Sequence, residues 1–164
     1  MFFGIPVGSF VFVHTMITLV AIVTGLLALF GILRNDRMNT MTAIFLLFTV
    51  LTDITGFMIQ IKPVTPAVTL GVVLAAVMLP ALAARYLFAM RGAWRWIYVV
   101  TATISLYLNC FVLVVQSFSK IPALHAIAPG VPPAGPVFAA TQGVVLILFI
   151  IAGFLGVRRF HPRG

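Results

Sequence analysis

The sequence predicts an all-α integral membrane protein, a five-transmembrane-helix bundle with its N-terminus outside and its C-terminus cytoplasmic. Three observations carry that reading. Of the 164 residues, 63% are hydrophobic and 7% charged, with a mean hydropathy of +1.24, whereas soluble domains run near ~45–50% apolar and ~25% charged. Five apolar stretches each reach the about 20 residues that a bilayer crossing needs. Eight of the ten basic residues collect on one side, around alternate junctions between those stretches and in the C-terminal tail.

The first span is expected at about 10–33 and is followed by Arg34 and Arg37. The second, 40–61, leads into an outer turn with Lys62. The third, 66–89, holds Pro80, whose missing amide should kink the helix and free a carbonyl, and Arg85, expected to snorkel to the inner interface. Arg91 lies in the junction after it. The fourth, 95–118, opens on Arg95 among Trp94, Trp96 and Tyr98, rings that favour the headgroup depth. Residues 119–136 contain five prolines and two glycines, which excludes a continuous helix. They should form a periplasmic loop with Lys120 at its start, its IPALHAIA portion making two helical turns, as a plain connector or as a lid. The fifth span, 137–157, ends in Arg158, Arg159 and Arg163. Arginines mark the cytoplasmic side by the positive-inside rule, so charge and span parity give the same topology. The whole of 1–164 reads as one transmembrane domain. MFFGIPVGSF carries no Lys or Arg, so a cleaved signal is not expected.

Counting excludes several chemistries. The acids are Asp36 and Asp53, with no glutamate, which rules out a paired-carboxylate site and an EF-hand loop. The single Cys110 rules out disulfide frameworks and multi-cysteine zinc or iron–sulfur sites, and within apolar surroundings it should be inert. No phosphate loop, nucleophile elbow or HExxH run occurs, so an enzyme is not the first expectation. Nucleic-acid binding is not expected either, because the basic residues punctuate spans instead of gathering on one exposed face.

Polar and small residues inside the spans follow helical spacing. His14, Thr18, Ala21, Gly25 and Ala28 share one stripe of the first span, as residues three and four apart do. Thr49, Thr52, Asp53, Gly56 and Gln60 share one of the second, and Ala102, Ser105, Asn109, Val112 and Gln116 one of the fourth. Small-xxx-small pairs such as Ala21/Gly25 and Gly71/Ala75 allow close helix approach. At a rise of ~1.5 Å per residue, Asp53 lies ~12 Å and Asn109 ~13 Å from the outer ends of their spans, Thr18 ~12 Å, Gln142 ~7 Å and His14 ~6 Å. A polar layer in the outer third of the membrane results, so the candidate pathway residues are Asp53, Asn109, His14, Thr18, Thr52 and Gln142. Asp53 leads, because a carboxyl at mid-span costs ~2.5–3.5 kcal/mol on insertion scales. Its alternatives are a proton-relay or cation-binding group, or an acid hydrogen-bonded to Asn109 or a carbonyl that only fixes packing. Haem needs two ligands facing one pocket. The spans hold one histidine, so haem or copper through His14 and His125, with Met16 or Met58 offering sulfur, is not expected, and no other metal is indicated.

The run GAWRWIYVVTATISLYLNCFVLVVQSFSKIPALHAIAP, residues 92–129, resembles a family of small polytopic bacterial inner-membrane proteins that share a WRWIYV entry, an LYLN centre and a VQ-F-K-P-AL-AP exit. The likeness extends more weakly to the first and third spans, including Ala84, Arg85 and Tyr86, and GVPPAGP after Pro129 departs from it. The resemblance implies a bacterial inner-membrane location and no activity, cofactor or residue role. Two function classes follow from the residues. One is a proton- or small-solute-handling permeation protein acting as an oligomer; the other is a non-catalytic accessory or scaffolding subunit of a larger membrane complex, with a haem- or quinone-binding redox subunit third.

Overall fold

The computed structural model describes residues 6–59 and 65–161. Within them every regular element is helical: α1 Val7–Leu33, α2 Asn39–Ile59, α3 Pro66–Leu82, α4 Trp94–Lys120, the short α5 Pro122–Ile127, and α6 Pro136–Arg159. α3 runs on through a π-helical turn, Ala83–Leu87. Five helices, α1, α2, α3 with its π turn, α4 and α6, are long and apolar enough to cross a membrane. Gln60, Lys62 and Arg163 lie outside the described residues.

Several boundaries depart from the periodicity reading. α1 starts at Val7 on a proline, a residue suited to precede a helix because the first amides lack intrahelical partners anyway. Thr65 caps α3 by accepting from Val68 N at 3.2 Å. Pro80 sits inside α3, and the helix passes it before widening into the π turn, where Phe88 N reaches Ala83 O at 3.0 Å. The third apolar element therefore ends at Leu87, two residues short of the span expected from hydropathy.

α4 is the central helix. It packs against α1, α3 and α6, while α1 pairs along its length with α2, and α2 with α3. Tyr98, Val99, Ala102, Ser105, Leu106 and Asn109 are its buried face, the three-and-four spacing of one helical stripe. That face meets Phe45 and Leu46 of α2, Leu74, Met78 and Ala81 of α3, and Ala28 and Ile32 of α1. Gly25 sets the closest approach. A methyl there would stand 2.5 Å from Leu106 Cδ1 and 2.7 Å from Phe45 Cδ2, so the absence of a side chain lets three helices meet at one level. Gln116 is the exception to the stripe expected on α4: it is exposed, while Phe118, two residues on, is buried against Phe138 of α6.

One end of the bundle collects the arginines. Arg95 Nη1 donates to Val157 O at 2.9 Å and Phe160 O at 2.6 Å, closing the last turn of α6 with a charged donor where free carbonyls accumulate. His161 N donates to Asn35 Oδ1 at 2.7 Å, and Phe160 is fully buried against Tyr98. These contacts bring the end of α1, the start of α4 and the end of α6 together. Arg85 does more than reach for an interface: its Nη2 donates to Asn39 Oδ1 and its guanidinium carbon lies 5.6 Å from the Tyr98 ring centre.

Candidate functional site

The polar residues lie towards the other end, and α2 distributes them. At ~100° per residue, Thr55, Thr52, Thr49 and Asp53 spread over an arc of ~160° around the α2 axis. That arc is wide enough to face three neighbours. The sequence reading saw one stripe; the structure divides it among the seams to α1, α4 and α3.

The α1 seam holds two hydroxyl relays. Thr52 Oγ1 donates to Thr18 Oγ1 at 3.3 Å, and Thr18 in turn donates to His14 O at 2.9 Å. His14 Nδ1 lies 2.7 Å from Thr55 Oγ1, whose hydroxyl lies 2.7 Å from Leu51 O. A hydroxyl has one proton. With that proton on the Leu51 carbonyl, His14 Nδ1 is the donor and Nε2 carries the lone pair when the ring is neutral. Gly56 makes room for the ring, His14 Cε1 lying 3.6 Å from where a Cβ would stand.

The α4 seam holds a buried pair: Asn109 Nδ2 donates to Thr49 Oγ1 at 3.2 Å. Asn109 is therefore engaged by Thr49 and not by Asp53, contrary to the packing partnership considered for the carboxyl. Gln142, on α6, donates from Nε2 to Phe111 O at 3.1 Å, and its Oε1 is buried without a partner. It links α6 to α4, apart from the α2 residues.

The α3 seam holds Asp53. Its Oδ1 lies 3.2 Å from the position of a Cβ on Gly71, beside Phe57. The residue is half-buried, and neither Asp53 nor Asp36 forms an ion pair with another described residue. Among the described residues no donor bonds the Asp53 carboxyl, whereas Asp36 Oδ1 accepts from Met38 N at 3.0 Å. The six candidate residues thus fall into four places: His14, Thr18 and Thr52 come together, while Asn109, Gln142 and Asp53 each stand at another seam. Thr49 and Thr55, the direct partners of Asn109 and His14, were missed as site residues; their positions next to Thr52 and Asp53 on α2 were the available signal.

Outside these seams, His125 on α5 has a buried, unpartnered Nδ1. α5 packs on the end of α4, and the Phe118 and Phe138 rings, 5.5 Å apart and edge-on, join that end to the start of α6. Among the described residues no group of three or more His, Cys, Asp or Glu side chains converges. A small cavity of about 10 Å³ between α1, α2 and α4 is lined by Gly25, Phe45, Tyr98 and Thr103, and the Thr103 hydroxyl is buried there without a partner. That volume corresponds to about one water. No family model, no curated protein and no solved structure matches this chain.

Proposed function

We propose that this is a multi-pass protein of a bacterial inner membrane, N-terminus outside and C-terminus cytoplasmic, that handles protons or a small solute at Asp53. The supporting observation is the contrast between Asp53 and its polar neighbours. Asn109 and the α1–α2 residues have partners that account for their presence as packing contacts between helices, but Asp53 has none among the described residues. An intramembrane carboxyl without a packing partner is a functional group by default. Apart from the one-water cavity, Phe45, Leu46 and Leu106 pack the space between α1, α2 and α4, so a route through Asp53 runs along the α2–α3 seam at the bundle's flank. A second copy covering that flank would complete it, which is why a homo-oligomer is part of the reading. His14, whose Nε2 carries the lone pair when Nδ1 donates to Thr55, is the second proton-accepting group, and the Thr52–Thr18 bond joins its helix to α2.

The test is flux in proteoliposomes. Asp53→Asn keeps the side chain's shape and removes the titrating group, so flux should fall by at least about tenfold, the scale of a lost acid–base group, with the helical content unchanged. Undiminished flux in a folded Asp53→Asn protein overturns the reading.

A second reading, an accessory subunit of a larger membrane complex, draws on α6. None of the residues in its most apolar window is buried, and Ile147, Leu148, Ile151 and Phe154 are more than half exposed. Lipid or a partner chain covers such a face. Extraction in a gentle detergent should then recover a stoichiometric partner, and recovery of the chain alone as a monodisperse species counts against it.

A further inference from the structure

From the arginine-bearing end we infer that the protein holds an anionic phospholipid, its phosphate bound by Arg37, Arg85 and Arg91 and its acyl chains lying along the end of α3. Two contacts of Arg85, with Asn39 and Met90, and chain adjacency link the three in an arc. Arg37 lies two residues before α2, its carbonyl accepting from Thr42 Oγ1 at 3.1 Å. Two residues on, Asn39 accepts from Arg85 Nη2, and Arg85 Nη1 approaches Met90 Sδ at 3.8 Å. Arg91 follows Met90. The turn that presents Arg91 is strained. Ala89 and Met90 have φ of 48° and 57°, in the left-handed region, with Gly92 at 54°. Two non-glycine residues in that region persist only where their surroundings impose it, and here the stacked Phe88 and Trp94 rings, 3.9 Å apart and 5° from parallel, close the turn.

Two observations point to a phosphate ligand. Arg37 Nε is buried and has no acceptor, an unmet donor of a kind that native structures seldom leave. The end holds seven described arginines against one described carboxylate, Asp36, which forms no ion pair with any of them. Guanidinium forks match phosphate oxygens in geometry and charge. The apolar neighbours select a lipid over a free anion: Leu87 is 77% and Phe88 42% exposed, directly beside the arc. Basic recesses between helices at the cytoplasmic side are the setting in which anionic headgroups are held. The inference rests on membrane insertion but not on any role for Asp53, so loss of lipid retention and loss of flux are separate results.

Native mass spectrometry of the full chain in mild detergent, with phosphatidylglycerol or phosphatidylcholine added, tests it. Phosphatidylglycerol adducts should dominate for the wild type. Removing each guanidinium near a charged surface is worth roughly fivefold in retention, so Arg37→Gln/Arg91→Gln should lose more than about twentyfold. Arg158→Gln/Arg159→Gln removes the same charge from α6, which packs on α4 and α1, and should change retention little. Equal loss in both double variants, or equal retention of phosphatidylcholine, overturns the site. Displacement of the lipid by millimolar inorganic phosphate would show a free-anion site instead and overturns the lipid assignment. Circular dichroism of each variant identifies one that has failed to fold, and Arg37→Lys/Arg91→Lys, which keeps the charge but loses the fork, should then show an intermediate loss; wild-type-like retention in a folded Gln variant also overturns it.

Discussion

Asp53 Oδ1 faces the bare backbone of Gly71, where a methyl group would stand 3.2 Å from the oxygen and 2.9 Å from Phe57 Cζ. Gly71 therefore determines how much space the carboxyl has. In Gly71→Ala the Phe57 ring must move, and it can, because Phe57 is 39% exposed. The stability loss should be about 1 kcal/mol or less, at the low end of overpacking costs. Proteoliposome flux should nevertheless fall severalfold although Asp53 is intact, and flux equal to wild type would show that the space beside the carboxyl is irrelevant.

The Asn109–Thr49 bond joins α4 to α2 in the buried part of the bundle. Interhelical hydrogen bonds of this kind average ~0.6 kcal/mol with a maximum near ~1.7 in membrane proteins, because the separated helices find other partners. A double-mutant cycle with Asn109→Leu and Thr49→Val should yield a coupling within that range, read from reversible unfolding in detergent. A coupling near zero would mean that the two side chains do not act on each other.

The helical class, the five apolar helices and the inward faces of α1 and α4 were legible because they depend on composition and on three-and-four spacing. The division of the polar layer was not. Asp53 and Thr49 are four residues apart and share a stripe on α2, yet one meets Gly71 of α3 and the other Asn109 of α4. An arc of ~160° looks like a single face until the neighbouring helices are placed. The π turn at Ala83–Leu87 was invisible for a related reason: its residues, AARYL, are all accepted in an α-helix, and only the wider hydrogen-bond register, Phe88 N to Ala83 O, distinguishes it. Arg85 was read as an interfacial side chain from depth alone, which could not reveal Asn39 as its acceptor.

Arg95 binds the end of α6 through two carbonyls, at 2.9 Å and 2.6 Å. Hydrogen bonds from a charged donor contribute roughly 1.5–3 kcal/mol, a figure to be reduced here because Arg95 is only half-buried. Arg95→Gln should release the last turn of α6 before the rest of the bundle. Amide exchange at residues 157–161 should accelerate by about tenfold or more, as expected for a local opening whose free energy falls by ~1.4 kcal/mol, while exchange in α2 stays unchanged. Uniform acceleration in every helix would instead make Arg95 a determinant of global stability.

The two carboxyls offer an internal comparison. Asp36 is exposed in the turn between α1 and α2 and accepts a backbone amide; Asp53 is half-buried in an apolar seam with no hydrogen-bond donor among the described residues. A lipid-soluble carbodiimide reacts with the acid form of a carboxyl in apolar surroundings, because ionised carboxylates in water neither meet the reagent nor hold the proton that it takes up. Treatment of native membranes should therefore add one reagent molecule to the peptide containing Asp53 and leave the Asp36 peptide unmodified. The modified protein should lose flux to the same extent as Asp53→Asn, since both remove the titrating group. In the Asp53→Asn protein the reagent should have no further effect. Modification at Asp36 with Asp53 untouched would mean that Asp53 is shielded or ionised, and that the seam facing Gly71 does not present it to the lipid phase.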